Sequence, residues 1–216
     1  SLQAPFTVAV VQASPVFFDK KRTMEKIGSL MTEARSQKPK LILFPEVFIP
    51  GYPRGLTFGT TVGSRTPEGR ELFLQYWENS IEVPGPETIQ LGKLAKEASC
   101  YLVIGVTEKD KISDTLYCSL LYFDAAGKLL GRHRKLKPTA AERILWGEGD
   151  GSDLKVYDTT LGKIGGLICW ENYMPLARTA LYQQGIEIYL APTADCRDTW
   201  QATLTHIACE SRCYIL

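Results

Sequence analysis

Two hydrophobic patterns alternate along the chain: short apolar runs rich in β-branched residues, and longer segments with apolar residues at helical spacing. The short runs predict strands, because apolar runs bounded by glycine, proline or polar residues are typical of a sheet. The predicted strands are residues 6–12, 41–44, 101–106, 116–123, 128–134, 154–158, 163–169 and 186–191, and another begins at residues 214–216. Turns at residues 124–127 and 161–162 predict that two pairs of these strands form hairpins.

The helical spacing predicts four amphipathic helices, and Pro175 near a first turn marks the start of another. Their apolar positions are Met24, Ile27, Leu30, Met31 and Ala34; Leu72, Phe73, Tyr76 and Trp77; Ile89, Leu94, Ala95 and Ala98, which we expect to face inward; and Trp200, Leu204, Ile207 and Ala208. Glycine and proline at residues 51–55 predict a loop that extends to Thr66.

The order of these elements predicts an α/β fold. Strands are mixed with helices, and some are joined by hairpins, which favours partly antiparallel sheets with helices on their outer faces. No repeat, low-complexity tract or linker interrupts the pattern, so we expect one domain over residues 1–216. Because the chain ends inside an apolar β-type run, we also expect the natural protein to be longer.

The composition limits the kind of partner without indicating a function. The chain has 216 residues, 44% hydrophobic and 23% charged, which is typical of a globular domain with a substantial core. Its formal net charge of +1 argues against a nucleic-acid partner, since such proteins are usually strongly basic. No apolar run approaches the ~20 residues of a membrane span, and no signal peptide is visible. Six cysteines without a dense framework are expected to be reduced thiols, which indicates a cytoplasmic protein.

Cys169 has the sequence context of a catalytic nucleophile. It follows the apolar run 164–168 and precedes Trp170, with a helix beginning near Met174. A nucleophile at such a strand-to-helix turn is exposed at a sheet edge, and the backbone N–H of the next residue can face a developing oxyanion. A small buried core cysteine would have the same local pattern, so both interpretations stay open at this point.

A cysteine nucleophile needs a base, and the two histidines are the first candidates. His133 lies between two arginines, which we expect to lower its pKa. His206 occupies a core-facing or partner-facing position of the last helix, and a structural role is the more ordinary interpretation of both histidines. His206 also lies near Cys209 and Cys213 on one helical face, but there is no Cys-X-X-Cys pair and no fourth ligand, so we expect no metal site.

Other candidates follow predicted strands. Glu46 ends an apolar strand beside Pro45, where partial desolvation raises a carboxyl pKa toward the working range of a general base. A surface glutamate after a strand would have the same local pattern, so both interpretations stay open. Lys135 ends another strand within a basic run, a local pattern that favours a solvated charge. Glu142 follows seven residues later.

Four groups of residues carry a more specific signal than any single position. They are Phe44-Pro45-Glu46 with Pro50-Gly51-Tyr52-Pro53; His133-Arg134-Lys135-Leu136 with Pro138-Thr139; Glu142-Arg143 with Trp146-Gly147-Glu148-Gly149-Asp150-Gly151; and Cys169-Trp170-Glu171-Asn172. In this order they resemble the nitrilase superfamily of carbon–nitrogen hydrolases over essentially the whole chain. The Cys-Trp-Glu sequence is similar to the nitrilase branch, of the plant-like or arylacetonitrile-cleaving type. The stretch from Cys209 to Cys213 departs from the family pattern.

The resemblance implies a four-layer αββα sandwich and a catalytic triad of Glu46, Lys135 and Cys169. Glu142 matches a second glutamate that positions the lysine and the substrate. The family uses no metal and no organic cofactor, and its members often form dimers that build into spiral homo-oligomers. Its domain continues past the position of Leu216 through further strands and a tail, which this chain lacks.

The function implied is hydrolysis of a small-molecule nitrile to its carboxylic acid and ammonia through a covalent intermediate on Cys169. In this scheme Lys135 and the Trp170 N–H stabilise the tetrahedral anion. Tyr52, Pro192 and Thr193 lie near predicted strand ends and are candidate substrate-binding residues. Two alternatives stay open: an amidase with the same triad, and a non-catalytic member that binds a metabolite or acts as a scaffold.

Overall fold

The computed structural model describes residues 4–216, in which the two larger of three β-sheets lie between two pairs of helices. The helices are α1 (Lys20–Ala34), α2 (Pro67–Glu78), α3 (Pro86–Ala98), α4 (Pro175–Gln183) and α5 (Asp198–Ser211). The strands are β1 (Val8–Val10), β2 (Leu41–Leu43), β3 (Thr60–Thr61), β4 (Ser64–Arg65), β5 (Ile81–Glu82), β6 (Tyr101–Lys109), β7 (Leu116–Phe123), β8 (Leu129–Arg134), β9 (Tyr157–Thr159), β10 (Gly162–Gly166), β11 (Ile188–Leu190) and β12 (Tyr214–Ile215).

The first sheet has the strand order β1-β2-β6-β7-β8, and β5 pairs with β6 beside this path. Strands β1, β2 and β6 are parallel, whereas β7 is antiparallel to both β6 and β8. It follows that β8 runs in the same direction as β2. The second sheet has the order β12-β11-β10-β9, with the first three strands parallel and β9 antiparallel. Both predicted hairpins are therefore present.

Three apolar clusters fill the spaces between the layers. The first joins α1 and α3 to the outer face of the first sheet and contains Ile27, Leu91 and Leu102. The second lies between the sheets, where Leu120 of one sheet and Leu190 of the other belong to a single cluster. The third joins α4 and α5 to the outer face of the second sheet. The order helix, sheet, sheet, helix is the four-layer αββα sandwich, so the expected fold class is confirmed.

The candidate site residues follow the ends of three strands. Glu46 comes after β2, Lys135 directly after β8, and Cys169 after β10. Because β2 and β8 run in the same direction, their carboxyl ends lie at one edge of the first sheet. The sandwich brings the end of β10 in the second sheet against this edge.

Some local expectations were wrong. Ile89 was expected to face inward but is 63% exposed, because the face of α3 that packs on the sheet is formed by Thr88, Leu91 and Ala95. The loop predicted from Gly51 to Thr66 contains the short hairpin of β3 and β4. Strand β5 was not expected, since two residues are too few to show a periodic pattern. No helix within residues 4–216 is long and apolar enough to cross a membrane.

Candidate active site

Glu46 is a buried carboxylate held from two sides. Its Oε1 accepts a hydrogen bond of 2.9 Å from the Lys135 Nζ, and its Oε2 accepts one of 2.9 Å from the Ala194 N–H. Burial raises the Glu46 pKa, and the nearby Glu142 charge raises it further, although the Lys135 ammonium opposes both effects. The carboxyl group is therefore a stronger base than an exposed glutamate.

The backbone that carries Glu46 lies against Gly105 of β6. The Gly105 N–H donates to the Pro45 carbonyl at 3.2 Å, and the Gly105 carbonyl accepts from the Phe48 N–H at 2.7 Å. A Cβ atom at Gly105 would lie 2.5 Å from the Pro45 oxygen. A glycine is needed here because any side chain would displace the loop that holds the carboxylate.

Lys135 is fully buried between two carboxylates. Its Nζ donates to the Glu46 Oε1 at 2.9 Å and to the Glu142 Oε2 at 2.8 Å. Burial alone would lower the Lys135 pKa, but the charges of Glu46 and Glu142 outweigh it and raise the pKa above its ordinary value. The local expectation of a solvated charge was wrong, because Lys135 follows the last residue of β8 and lies inside the fold.

Glu142 is connected to Lys135, Thr139 and Tyr52. Its Oε2 accepts a 2.6 Å hydrogen bond from the Thr139 N–H, and its Oε1 accepts a 2.7 Å bond from the Tyr52 hydroxyl. Residues 139–142 have the Thr-X-X-Glu sequence of a helix capping box, which accounts for the first contact. Burial, together with the Glu142 carboxylate, raises the Tyr52 pKa above its ordinary value, so the phenol is a donor here.

Cys169 begins a short 3₁₀ helix (Cys169–Tyr173) with a left-handed backbone, φ 51°. This strained geometry is the sharp turn expected of a nucleophile between a strand and a helix. Its Sγ accepts a 3.1 Å hydrogen bond from the Thr193 hydroxyl. Burial raises the Cys169 pKa to about 12, and the Glu46 charge contributes to the rise. The thiol is therefore protonated near neutral pH and needs a base to become a nucleophile.

The segment from Pro192 to Ala194 joins the thiol to the carboxylate. The Pro192 carbonyl accepts the Cys169 N–H at 2.9 Å, Thr193 contacts the sulfur, and the Ala194 N–H contacts Glu46. These three residues, which come shortly after β11, thus set the spacing between the Cys169 thiol and the Glu46 carboxylate. Pro192 and Thr193 were expected to bind substrate, and the contacts described give them this further structural role.

A cavity of about 340 Å³ opens beside these residues and is large enough for a small organic molecule. Cys169, Glu142, Tyr52 and Trp170 line it, with Arg54 and Arg197 also at its wall. A larger open groove of about 1120 Å³ adjoins it and is lined by Glu46, Pro192 and Thr193 among others. The Cys169 thiol and two of its predicted partners, Glu46 and Glu142, therefore line adjoining cavities.

Comparison with known proteins gives the family. The carbon–nitrogen hydrolase family model matches residues 7–216. The chain belongs to the carbon–nitrogen hydrolase family. It is 56% identical over 207 residues to the bifunctional nitrilase/nitrile hydratase NIT4B of Nicotiana tabacum, a match that covers 96% of this chain and 59% of that protein. It is 54% identical over 211 residues to an aliphatic nitrilase of Sinorhizobium fredii (strain HH103), covering 98% of this chain and 68% of that protein. These relatives confirm the resemblance to the nitrilase branch.

Solved structures support the fold. Saccharomyces cerevisiae Nit3, a member of branch 10 of the nitrilase superfamily, matches with a TM-score of 0.77 at 24% identity, covering 96% of this chain and 73% of that one. An amidase from Nesterenkonia sp. matches with a TM-score of 0.75 at 18% identity, covering 99% and 76%. At these identities the likeness concerns the fold alone.

Trp170, the candidate oxyanion residue, has an exposed side chain. Its indole N–H donates to the Asp195 carboxylate at 3.1 Å, and Arg197 lies over its ring. Its backbone N–H belongs to the first turn of the 3₁₀ helix that starts at Cys169, where N–H groups have no partner within the helix. The backbone of Trp170 is thus available for the oxyanion role that the sequence suggested.

The two histidines do not contact the thiol or the Lys135 cluster. His133 was expected to have a lowered pKa, but its pKa is raised to about 9: burial opposes the rise, and Glu171 and Asp153 outweigh it. The flanking arginines instead bind Glu108, because alternate residues of a strand point to opposite faces. His206 is exposed and does not face the core.

Several contacts of the site were not expected from the sequence. They involve Thr193 on the sulfur, the Ala194 N–H on Glu46, and Cys118, whose thiol lies 3.7 Å from the Glu46 Oε1. The Thr139–Glu142 contact, by contrast, had a local sequence signal, the capping box. Within residues 4–216, no three His, Cys, Asp or Glu side chains are grouped so as to hold a metal ion.

Proposed function

We propose that this site hydrolyses a small organic nitrile to its carboxylic acid and ammonia through covalent intermediates on Cys169. One observation carries the proposal: the Cys169 thiol lines the same cavity as Glu142, which belongs to a buried cluster with Lys135 and Glu46. The nitrilase names of the two relatives described above support the same substrate class.

In the first half of the reaction Glu46 accepts the thiol proton and the Cys169 sulfur attacks the nitrile carbon. One bond of the carbon–nitrogen triple bond breaks, and the nitrogen takes the proton from Glu46, which leaves a thioimidate. The raised pKa of Glu46 supports this role, because a base with a higher pKa accepts a thiol proton more readily. The raised pKa of Cys169 explains why a base is required.

In the second half a water molecule, activated by Glu46, adds to the thioimidate. Lys135 and the Trp170 N–H stabilise the tetrahedral anion, the nitrogen leaves as ammonia, and a thioester remains. A second water molecule converts the thioester to the carboxylic acid and returns the proton to the Cys169 sulfur. Lys135 suits this role because its pKa is raised, so it keeps its charge throughout the cycle.

Glu142 and Tyr52 act by orientation in this proposal. Glu142 holds the Lys135 Nζ at 2.8 Å, and Tyr52 holds Glu142 at 2.7 Å, so the ammonium has one position relative to the thiol. Both residues line the cavity and can also contact the nitrile. Pro192 and Thr193 complete the proposed substrate side, beside the larger groove.

The proposal extends to the surroundings of the enzyme. The chemistry uses side chains and water, with no metal or organic cofactor. All six cysteines are free thiols, which supports a reducing, cytoplasmic location. A near-neutral net charge supports the absence of a nucleic-acid partner. The family resemblance supports a homo-oligomer that builds from dimers. The chain spans 59% of the length of the Nicotiana tabacum relative. What is said here of the cofactor, location and partners of the whole protein is therefore part of the proposal.

The test compares Cys169→Ala with Cys196→Ala, since Cys196 is an exposed thiol that lines the same cavity. Each protein is incubated with a panel of aliphatic and aryl nitriles and with the matching amides, and ammonia, acid and amide are measured. We expect ammonia from nitriles with the parent and Cys196→Ala, and none with Cys169→Ala. Ammonia from amides alone would favour the amidase, and turnover by Cys169→Ala would reject the proposal.

A covalent trap separates the catalytic proposal from a scaffold role. The parent is treated with acrylamide and its mass is measured, because a glutamate-to-glutamine mutant of an amidase of the same fold from Nesterenkonia sp. AN1 shows Michael addition of acrylamide at its active site cysteine. We expect one adduct on Cys169 of the parent, formed before any adduct on the exposed Cys196. An unmodified Cys169 would favour the non-catalytic member.

A further inference from the structure

A second buried charged cluster lies behind the candidate site. His133, in β8, is 2% exposed, and its two ring nitrogens face two carboxylates. The Nδ1 lies 3.1 Å from the Asp153 Oδ1, and the Nε2 lies 3.0 Å from the Glu171 Oε2. Glu171 is 1% exposed and has no part in the proposed chemistry. Burying a carboxylate costs free energy unless the group is paired and hydrogen-bonded. The partners of Glu171 therefore indicate its role.

Each oxygen of Glu171 accepts a backbone N–H beside a candidate catalytic residue. The Oε1 accepts the Leu136 N–H at 2.6 Å, directly after Lys135. The Oε2 accepts the Ile168 N–H at 2.7 Å, directly before Cys169. One carboxylate therefore ties the end of β8 in the first sheet to the Cys169 turn in the second sheet. The two residues that it joins supply the cation and the thiol.

We propose that Glu171 is a positioning residue that sets the Cys169 thiol against the Lys135 ammonium, with His133 holding its carboxylate in place. The proposal rests on the proposed function of the site. No other side chain of the described residues hydrogen-bonds to both backbone segments next to Lys135 and Cys169. Displacing either segment changes the distance from the sulfur to the ammonium that stabilises the anion, and such displacements lower rates steeply.

Glutamine at position 171 removes this link without changing the side chain's size. Its amide has one acceptor oxygen, so one of the two backbone N–H groups would face an NH₂ group instead of a carboxylate oxygen. The buried N–H would then lack a partner, and the turn or the end of β8 would shift to satisfy it.

The matched control is Glu108→Gln. Glu108 is also 1% exposed and also binds cationic side chains of β8, Arg132 and Arg134, but on the opposite face of the strand. It hydrogen-bonds to neither backbone segment that Glu171 joins. Both substitutions remove one buried carboxylate charge next to the same strand, so a merely structural effect would be similar in the two variants.

The experiment measures four quantities for the parent, Glu171→Gln and Glu108→Gln: the rate constant for acrylamide addition to Cys169 by peptide mass, kcat and KM for ammonia release from the best nitrile, and Tm. We expect Glu171→Gln to lower the addition rate and kcat by about tenfold or more with KM nearly unchanged. We expect Glu108→Gln to lower Tm while changing both rates less than about threefold.

The proposal is overturned if acrylamide adds to Cys169 of Glu171→Gln as fast as it adds to the parent. It is also overturned if the rates in Glu171→Gln and Glu108→Gln are equal. If Glu171→Gln does not fold, His133→Gln takes its place and must slow the addition relative to Glu108→Gln; equal rates again overturn it. Absence of ammonia from every nitrile and amide would reject the proposed function instead. The acrylamide rates would then still decide the role of Glu171, because they need no turnover.

Discussion

Replacing His133 by glutamine should change how the stability of the domain depends on pH. The imidazole is buried between Glu171 and Asp153, and those carboxylates favour its protonated form strongly enough to raise its pKa from 6.5 to about 9. Glutamine has similar polar atoms and no charge to gain or lose. The difference between the two proteins therefore isolates the contribution of the buried cation.

The size and sign of the effect follow from linkage between protonation and folding. Each tenfold change in proton affinity is worth about 1.4 kcal/mol, so a rise from 6.5 to about 9 corresponds to at most about 3 kcal/mol. Because the folded-state pKa is raised, this stability is fully present below pH 6.5. It is lost as pH rises through about 9, where the folded protein also releases the proton.

The assay is urea unfolding of the parent and His133→Gln between pH 6 and pH 10, with the free energy of unfolding extrapolated to water at each pH. In each protein the buried thiols also make the free energy of unfolding depend on pH. The reason is that burial raises the Cys100 pKa to about 11 and the Cys169 pKa to about 12. Both proteins consequently lose stability when the unfolded thiols ionise. This loss cancels in the difference, which we expect to shrink by about 3 kcal/mol from pH 6 to pH 10.

The control is His206→Gln, which removes an exposed imidazole 3.7 Å from the Glu210 carboxylate. An exposed pair of this kind contributes about 0.5 kcal/mol or less, so the same pH series should be nearly flat. A constant difference between the parent and His133→Gln would refute the reasoning, and so would a difference that grows with pH. Either result would mean that folding does not raise the pKa of His133.

Three further substitutions test the site itself. Gly105→Ala places a methyl group 2.5 Å from a backbone carbonyl, so we expect it to lower stability by about 1–3 kcal/mol in urea unfolding and to reduce turnover; an unchanged protein would contradict the close approach. Tyr52→Phe removes the 2.7 Å bond to Glu142 and should lower kcat by about tenfold at unchanged Tm, measured by ammonia release. Thr193→Val removes the donor that favours the Cys169 thiolate, so the pH profile of acrylamide addition should move to higher pH. A profile at the same pH as the parent's would contradict this last expectation.

The strands and helices were largely visible in the sequence because their signals are local. The boundaries of β7 and most of β6, β8 and β10 follow from apolar runs and turns, and the loops after β2, β8 and β10 contain the candidate residues. Position at strand ends therefore singled out Glu46 and Cys169 before any contact was known. Strand β5 and the orientation of Ile89 were missed, since both depend on packing against neighbouring elements.

The sequence by itself determined the alternation of strands and helices, and with it the α/β class and the strand ends at which polar residues collect. Only the tertiary structure decided that Lys135 is buried between two carboxylates, and that Thr193 and Ala194 join the thiol to Glu46. It likewise decided that His133 is a paired cation whose carboxylate Glu171 spans two sheets. The physical reason is that burial and hydrogen-bond partners depend on contacts between segments that are distant in the sequence. The local spacing of residues does not predict those contacts.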